Sequence, residues 1–144
     1  MNNKGRGAPV DLMSILHLAH AAENELEGKL NGIGLTLTKL LALRLLAEAG
    51  EPLPLGQLAD RLSCVKSNIT QLVDRLEADG LVARKPDPGD RRTRLAALTA
   101  TGRRLCQEAT RMQQDTEREL AGRLTREEAQ SLGALLTKMR APSE

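Results

Sequence analysis

The chain contains no Phe, Trp or Tyr, so it has no aromatic platform for stacking single-stranded bases and no aromatic cage for a cation. Its two cysteines, Cys64 and Cys106, are too few for a disulfide framework. Two histidines, His17 and His20, and the lack of a Gly-rich phosphate loop leave no catalytic constellation, which argues against an enzyme. The His17/His20 pair offers a metal only two ligands, so no metal site is read there. No apolar run approaches the roughly 18 residues of a membrane span. Met1 to Pro9 lacks the hydrophobic stretch of a signal peptide, so a cytoplasmic protein without membrane contact is expected. What is abundant is Leu, Ala, Glu and Arg, all helix formers. With 144 residues, 40% of them hydrophobic, the chain can bury a core packed on leucine.

Apolar spacing organises that helical expectation. Leu12, Ile15, Leu16, Ala19, Ala22, Leu26 and Leu30 recur at three- and four-residue steps, predicting a first helix from about Val10 to Leu30 that ends at Asn31-Gly32. Thr36 can cap a second helix carrying Leu40, Leu41, Leu43, Leu45 and Leu46, apolar around much of its circumference and therefore a central buried helix; Gly50 stops it. After a short connection at Pro52 and Pro54, Leu55, Leu58, Ala59 and Leu62 make a two-turn helix, followed by a break at Ser63 to Val65. From Lys66 to Asp79, Ile69, Leu72, Val73 and Leu76 line one face, and Ser67, Thr70, Gln71, Asp74 and Arg75 the other, with Asn68 at the margin. Gly80 closes this helix. Leu81 to Lys85 and Thr93 to Thr99 read as two strands around a Pro86 to Asp90 turn. Thr99 or Thr101 can cap a long helix carrying Leu105, Ala109, Met112, Thr116 and Leu120, with Cys106 flanking that stripe. A last helix starts at Thr125 and Glu128, which have capping-box spacing, and carries Leu132, Leu135, Leu136 and Met139.

The net charge of +2 hides an asymmetry. From Arg61 to Arg104 ten Lys/Arg face five Asp/Glu, so this stretch carries +5 and the remainder −3. A basic centre suggests a polyanion partner. A short helix, a three-residue turn and an amphipathic helix with a polar outer face is the helix-turn-helix arrangement, and the hairpin after it makes a wing. On this reading the short side chains of Ser67 and Thr70 admit close approach to the bases, and Asn68 and Gln71 suit adenine edges. Arg75 or Lys66 reaches a phosphate, and Arg84 on the first strand joins the contacts. The hairpin tip crowds Arg91, Arg92 and Arg94 beside Asp90, guanidinium groups that a mere chain reversal does not need. An arginine held out there can enter the minor groove, oriented by a bidentate pair with Asp90.

The run Leu58-Ala59-Asp60-Arg61-Leu62, the stretch Lys66 to Glu77, Asp79-Gly80-Leu81-Val82, Asp90-Arg91-Arg92, Leu98-Thr99 and Gly102 resemble the MarR family of bacterial transcriptional regulators. The resemblance runs from about Leu35 to Met139. It implies a mainly α fold with a small β-hairpin wing, a winged helix-turn-helix, in a homodimer joined through its N- and C-terminal helices. The chain then divides into a dimerisation helix at 1–34, a DNA-binding lobe at 35–100 and further dimerisation helices at 101–144. The implied partner is double-stranded DNA with a pseudo-palindromic operator. Ser67, Asn68, Thr70 and Gln71 would face the major groove, Arg92 would enter the minor groove braced by Asp90, and Arg91 would lie near phosphate. Two positions depart from the family pattern. Val65 stands at the usual cap of the recognition helix, leaving Ser63 or backbone geometry to satisfy the first amides, and Lys39 stands where a capping Gln or Glu often sits. Pairing of two copies also follows from two apolar-striped helices at opposite ends of a chain whose central lobe is too small to cover both.

The resemblance further implies a repressor relieved by a small anionic or phenolic inducer, bound in a cleft lined by the first, second and fifth helices. His17, His20 and Arg44 are the anion partners available there, and His20 lies closer to the apolar stripe. No other cofactor is expected. Two alternatives stay open: a helical adaptor binding a protein through the polar face of residues 66–79, and a thiol-based redox-responsive regulator using Cys64 beside Lys66. Against the second, Cys64 sits where such a turn usually buries a small apolar side chain, and thiol-sensing members keep their reactive cysteine near the first helix, where this chain has none.

Overall fold

The computed structural model describes residues 10–62 and 66–140. The first helix, α1 (Leu12–Asn31), opens on Asp11, whose carboxylate accepts from the Ser14 amide at 2.7 Å and the Ser14 hydroxyl at 3.0 Å. Those bonds hold the Asp11 carboxyl below the usual carboxylate range. Helix α2 (Leu37–Ala49) is capped by the Thr36 hydroxyl and ends at Gly50 with φ 68°, a left-handed turn that suits glycine. Next come β1 (Leu53–Pro54), α3 (Leu55–Leu62) and α4 (Lys66–Ala78). The hairpin β2 (Val82–Asp87) and β3 (Asp90–Leu98) leads into the long helix α5 (Ala100–Ala121), then α6 (Arg126–Arg140). Thr125 and Glu128 close the expected capping box at 2.8 and 3.2 Å.

The three strands form one antiparallel sheet in the order β1-β3-β2. Strand β1 falls where only a connection is expected: Leu53 pairs with Ala96 and Pro54 with Leu95, placing proline on an edge strand, where its missing N–H costs no ladder bond. The hairpin is also longer than expected, because Pro86 and Asp87 belong to β2 and only Pro88 and Gly89 make the turn.

One core joins Leu40, Leu43 and Leu46 of α2, Leu58 of α3, Ile69, Val73 and Leu76 of α4, Val82 and Ala96 of the hairpin and Ala109 of α5. α2 is the central buried helix expected, with Leu40, Leu43 and Leu46 in the core, although Leu41 is 43% exposed. Cys106 does not merely flank the α5 stripe; it is buried within this core. The stripe of α1 is covered only at its C-terminal end, where Leu30 is buried, while Leu12, Ile15 and Leu16 are exposed. No residue of α6 is buried, and Leu135 and Met139 are 56% and 63% exposed.

Polar contacts fix the elements that carry the hairpin. Thr99 caps α5: its hydroxyl accepts from the Gly102 amide at 3.0 Å and donates to the Gly80 carbonyl at 2.7 Å, and its amide donates to the Leu81 carbonyl at 3.1 Å. The end of α4, the root of β2 and the start of α5 therefore meet at one joint. Lys39, which stands where a capping carboxylate or amide often sits, does not cap α2; its Nζ pairs with Asp79 Oδ2 at 2.8 Å beyond the end of α4. Beside the Thr36 cap, the first free amide of α2, that of Leu37, donates to Glu27 Oε1 of α1 at 3.0 Å, so another helix satisfies one of the terminal amides.

Candidate nucleic-acid interface

Helix α4 buries Ile69, Val73 and Leu76, and this burial turns Asn68, Thr70, Gln71, Asp74 and Arg75 to solvent. Short and amide side chains alternate on that face, so a duplex could approach without meeting bulk, and amide groups would lie at base-edge distance. Cys64, Ser63 and Val65, together with the side chains of Lys66 and Ser67, lie outside the described residues. The expectations attached to them, the redox thiol and the helix cap included, lie outside the described residues with them.

The wing carries a feature that residue patterns did not show. Strand pairing runs from Val82↔Leu98 to Pro86↔Arg94 and then jumps to Asp87↔Asp90, so Arg91, Arg92 and Thr93 are bulged out of the ladder. A bulge re-aims side chains and adds twist, and here it projects two arginines from the hairpin. Asp90 holds the bulge closed: Oδ1 accepts from the Arg92 amide at 2.9 Å and Oδ2 from the Thr93 hydroxyl at 3.0 Å. This corrects the expected bidentate pair. Asp90 sets the backbone beneath Arg92 and does not pair with its guanidinium. The Arg92 side chain is exposed and outside any ion pair among the described residues, as are Arg75, Arg91 and Arg94.

Arg84 behaves otherwise. Grouped with the DNA contacts from sequence, it points back at α4 and is only 23% exposed. Its guanidinium donates to Asp74 Oδ1 at 2.5 Å, Glu77 Oε1 at 3.2 Å and the Thr70 carbonyl at 3.3 Å, and its amide donates to Glu77 Oε2 at 2.9 Å.

A polar helix face beside an arginine-bearing wing is the geometry of known regulators. The MarR family model matches residues 35–93. MarR of Salmonella typhimurium is 33% identical over 115 residues, spanning 79% of each chain. The chain belongs to the MarR family. Among solved structures, the reduced form of MarR from E. coli superposes with a TM-score of 0.83 at 26% identity, covering 94% of this chain and all of that one. A cysteine-to-serine mutant of E. coli MarR complexed with operator DNA superposes with a TM-score of 0.79 at 27% identity, covering 90% of this chain and 94% of that one. As a MarR family member this protein is a DNA-binding transcription regulator with a winged-helix fold and not an enzyme. Among the described residues no helix is long and apolar enough to cross a membrane.

The residues proposed for an effector do not converge. His17 and His20 are exposed on the uncovered part of α1 and line neither the α2/α5 groove nor the α1/α5 cleft of this MarR family member. Arg44 lines a groove of about 630 Å³ between α2 and α5, with Glu48, Arg103, Cys106, Gln107 and Arg111. It already bonds Gln113 Oε1 at 2.8 Å and Glu48 Oε1 at 3.4 Å. A smaller cleft of about 200 Å³ lies between α1 and α5, lined by Ala22, Leu26, Leu37, Gln113, Thr116 and Leu120.

Burial pushes the Cys106 thiol up, and the Thr110 hydroxyl and Arg44 only partly oppose it. At neutral pH it is a protonated core thiol. In a Cys64→Ser variant, iodoacetamide is expected to leave Cys106 largely unmodified until denaturant is added, as followed by mass spectrometry; rapid native labelling would show that the α2/α5 groove opens to its floor.

Proposed function

We propose that this protein is a homodimeric repressor that reads a pseudo-palindromic operator through α4 and the wing, and that a small anionic or phenolic ligand releases it. The observation that carries the proposal is the unpaired, bulge-projected Arg91-Arg92 beside the exposed Asn68, Thr70 and Gln71. Asn68, Thr70 and Gln71, with Ser67, read the major groove; Arg92 enters the minor groove; Lys66, Arg75, Arg91 and Arg94 meet phosphates. The likeness to a MarR seated on operator DNA supports this docking.

Residues 1–34 and 101–144 supply the dimer contacts, and 35–100 the DNA-binding lobe. The exposed leucines of α1 and α6 support this division, since an isolated chain leaves two apolar faces in water at opposite ends of the sequence. Twofold symmetry then sets two α4 helices in successive major grooves, roughly 34 Å apart. The inducer would enter the Arg44 groove, whose lining includes Arg103, one turn along α5 from the Thr99 joint.

Arg92→Ala tests the wing directly. Binding to the best duplex selected from a random library is expected to weaken by more than about tenfold, or about 1.4 kcal/mol, in fluorescence anisotropy, with the dimer intact in sedimentation. Unchanged affinity would remove the wing from recognition, and a single-copy wild type would remove the dimer.

A further inference from the structure

Arg84 is the one wing arginine whose guanidinium is already spent. Its acceptors, the Thr70 carbonyl, Asp74 and Glu77, stand at i, i+4 and i+7 along a single stripe of α4, so one planar group spans two turns of the helix. Glu77 is held twice, by guanidinium and amide of the same residue, which pins the strand at this point as well as the side chain. Strand register puts Arg84 on the same hairpin face as Arg94, through Pro86↔Arg94 and Arg84↔Ala96. The strut therefore sits at the root of the surface from which the free arginines extend.

Asp74 and Glu77 pose a difficulty that this arrangement resolves. Asp74 lies on the same exposed face as Gln71 and Arg75, where a carboxylate would repel an approaching phosphate backbone. Arg84 draws both carboxylates toward the wing and offsets one of their two negative charges. We infer that Arg84 is a positioning residue for DNA reading, one that sets the angle of the wing against α4 and offsets one of the two negative charges of Asp74 and Glu77 without itself contacting DNA. This rests on the reading of α4 and the wing as the DNA-contacting pair. Lysine cannot replace it, because an ammonium is a point charge and lacks the planar fork that reaches three acceptors.

The test compares the selected duplex with a scrambled duplex of the same length, over a salt series, with thermal unfolding and sedimentation as checks. Arg84→Ala is expected to lower the ratio of selected to scrambled affinity by about tenfold, because a loosened wing loses register with the bases. Adding Asp74→Asn and Glu77→Gln to that variant should restore scrambled-duplex affinity but not the ratio, since charge is relieved while the angle stays free. Arg84→Lys, which keeps the charge and so the fold, should also lose ratio. Equal losses on both duplexes with a salt slope reduced by about one per contact would instead make Arg84 a phosphate ligand and overturn the inference. A wild-type ratio in Arg84→Lys would overturn it too. Failure of the underlying reading looks different: Arg92→Ala and Gln71→Ala would then leave the wild-type ratio unchanged.

Discussion

Gly102→Ala is expected to lower stability by about 3 kcal/mol, seen as a fall of about 10 °C in the thermal unfolding midpoint. A methyl built on Gly102 would overlap the Leu81 carbonyl oxygen and stand 2.9 Å from the carbonyl carbon and 3.0 Å from a Leu98 methyl. Two of those three atoms are backbone, so no side-chain rotation relieves the clash. The same carbonyl accepts from the Thr99 amide, and the Gly102 amide feeds the Thr99 hydroxyl, so moving α5 away breaks the cap as well. The joint also holds Gly80 at the end of α4, and a variant that folds in the cold should bind DNA poorly because helix and wing lose their common anchor. Gly28→Ala is the control: an exposed glycine inside α1 with nothing within 4 Å, it should gain about 0.5–1 kcal/mol from helix propensity alone. A midpoint for Gly102→Ala within a degree of wild type would mean that α5 does not approach the wing root this closely.

Helix limits were legible wherever the chemistry was local. Thr36, Gly50, Gly80 and the Thr125/Glu128 box mark ends through bonds or dihedrals made within a few residues, and the 3.6-residue period places Ile69, Val73 and Leu76 on one face. What escaped was non-local. Strand β1 has two residues, one of them proline, and exists only because β3 offers an edge. The bulge at Arg91 to Thr93 depends on which residue pairs with Pro86, and no composition rule fixes that register. The Lys39–Asp79 and Glu27–Leu37 contacts span 40 and 10 residues. For Arg84, residue type and position in a basic hairpin suggested a DNA contact; the i, i+4, i+7 spacing of Thr70, Asp74 and Glu77 was the available hint that α4 presents a three-acceptor stripe. The scattering of His17, His20 and Arg44 has a similar origin: the histidines sit on the uncovered part of α1 and Arg44 on α2, and packing between helices decides which residues line a cleft.

Raising monovalent salt from 50 to 200 mM is expected to weaken binding to the selected duplex by about 10³-fold or more. In the proposed dimer two copies of Arg75, Arg91, Arg92 and Arg94 reach phosphate or the minor groove, and all four are exposed and outside any ion pair among the described residues. Roughly six to eight neutralised phosphates give a slope of about −5 to −7 in a plot of log affinity against log salt. A helical adaptor using the same face would pair far fewer charges, and its affinity for a protein should change only severalfold over this range. The slope also separates the arginines from one another: Arg91→Ala should reduce it by about two per dimer, whereas Arg84→Ala removes no phosphate contact and should not lower it by that amount, since the Arg84 guanidinium is paired with Asp74 and Glu77. A wild-type slope shallower than about −3 would mean that few of these arginines meet phosphates and that the bulged wing stays clear of the duplex.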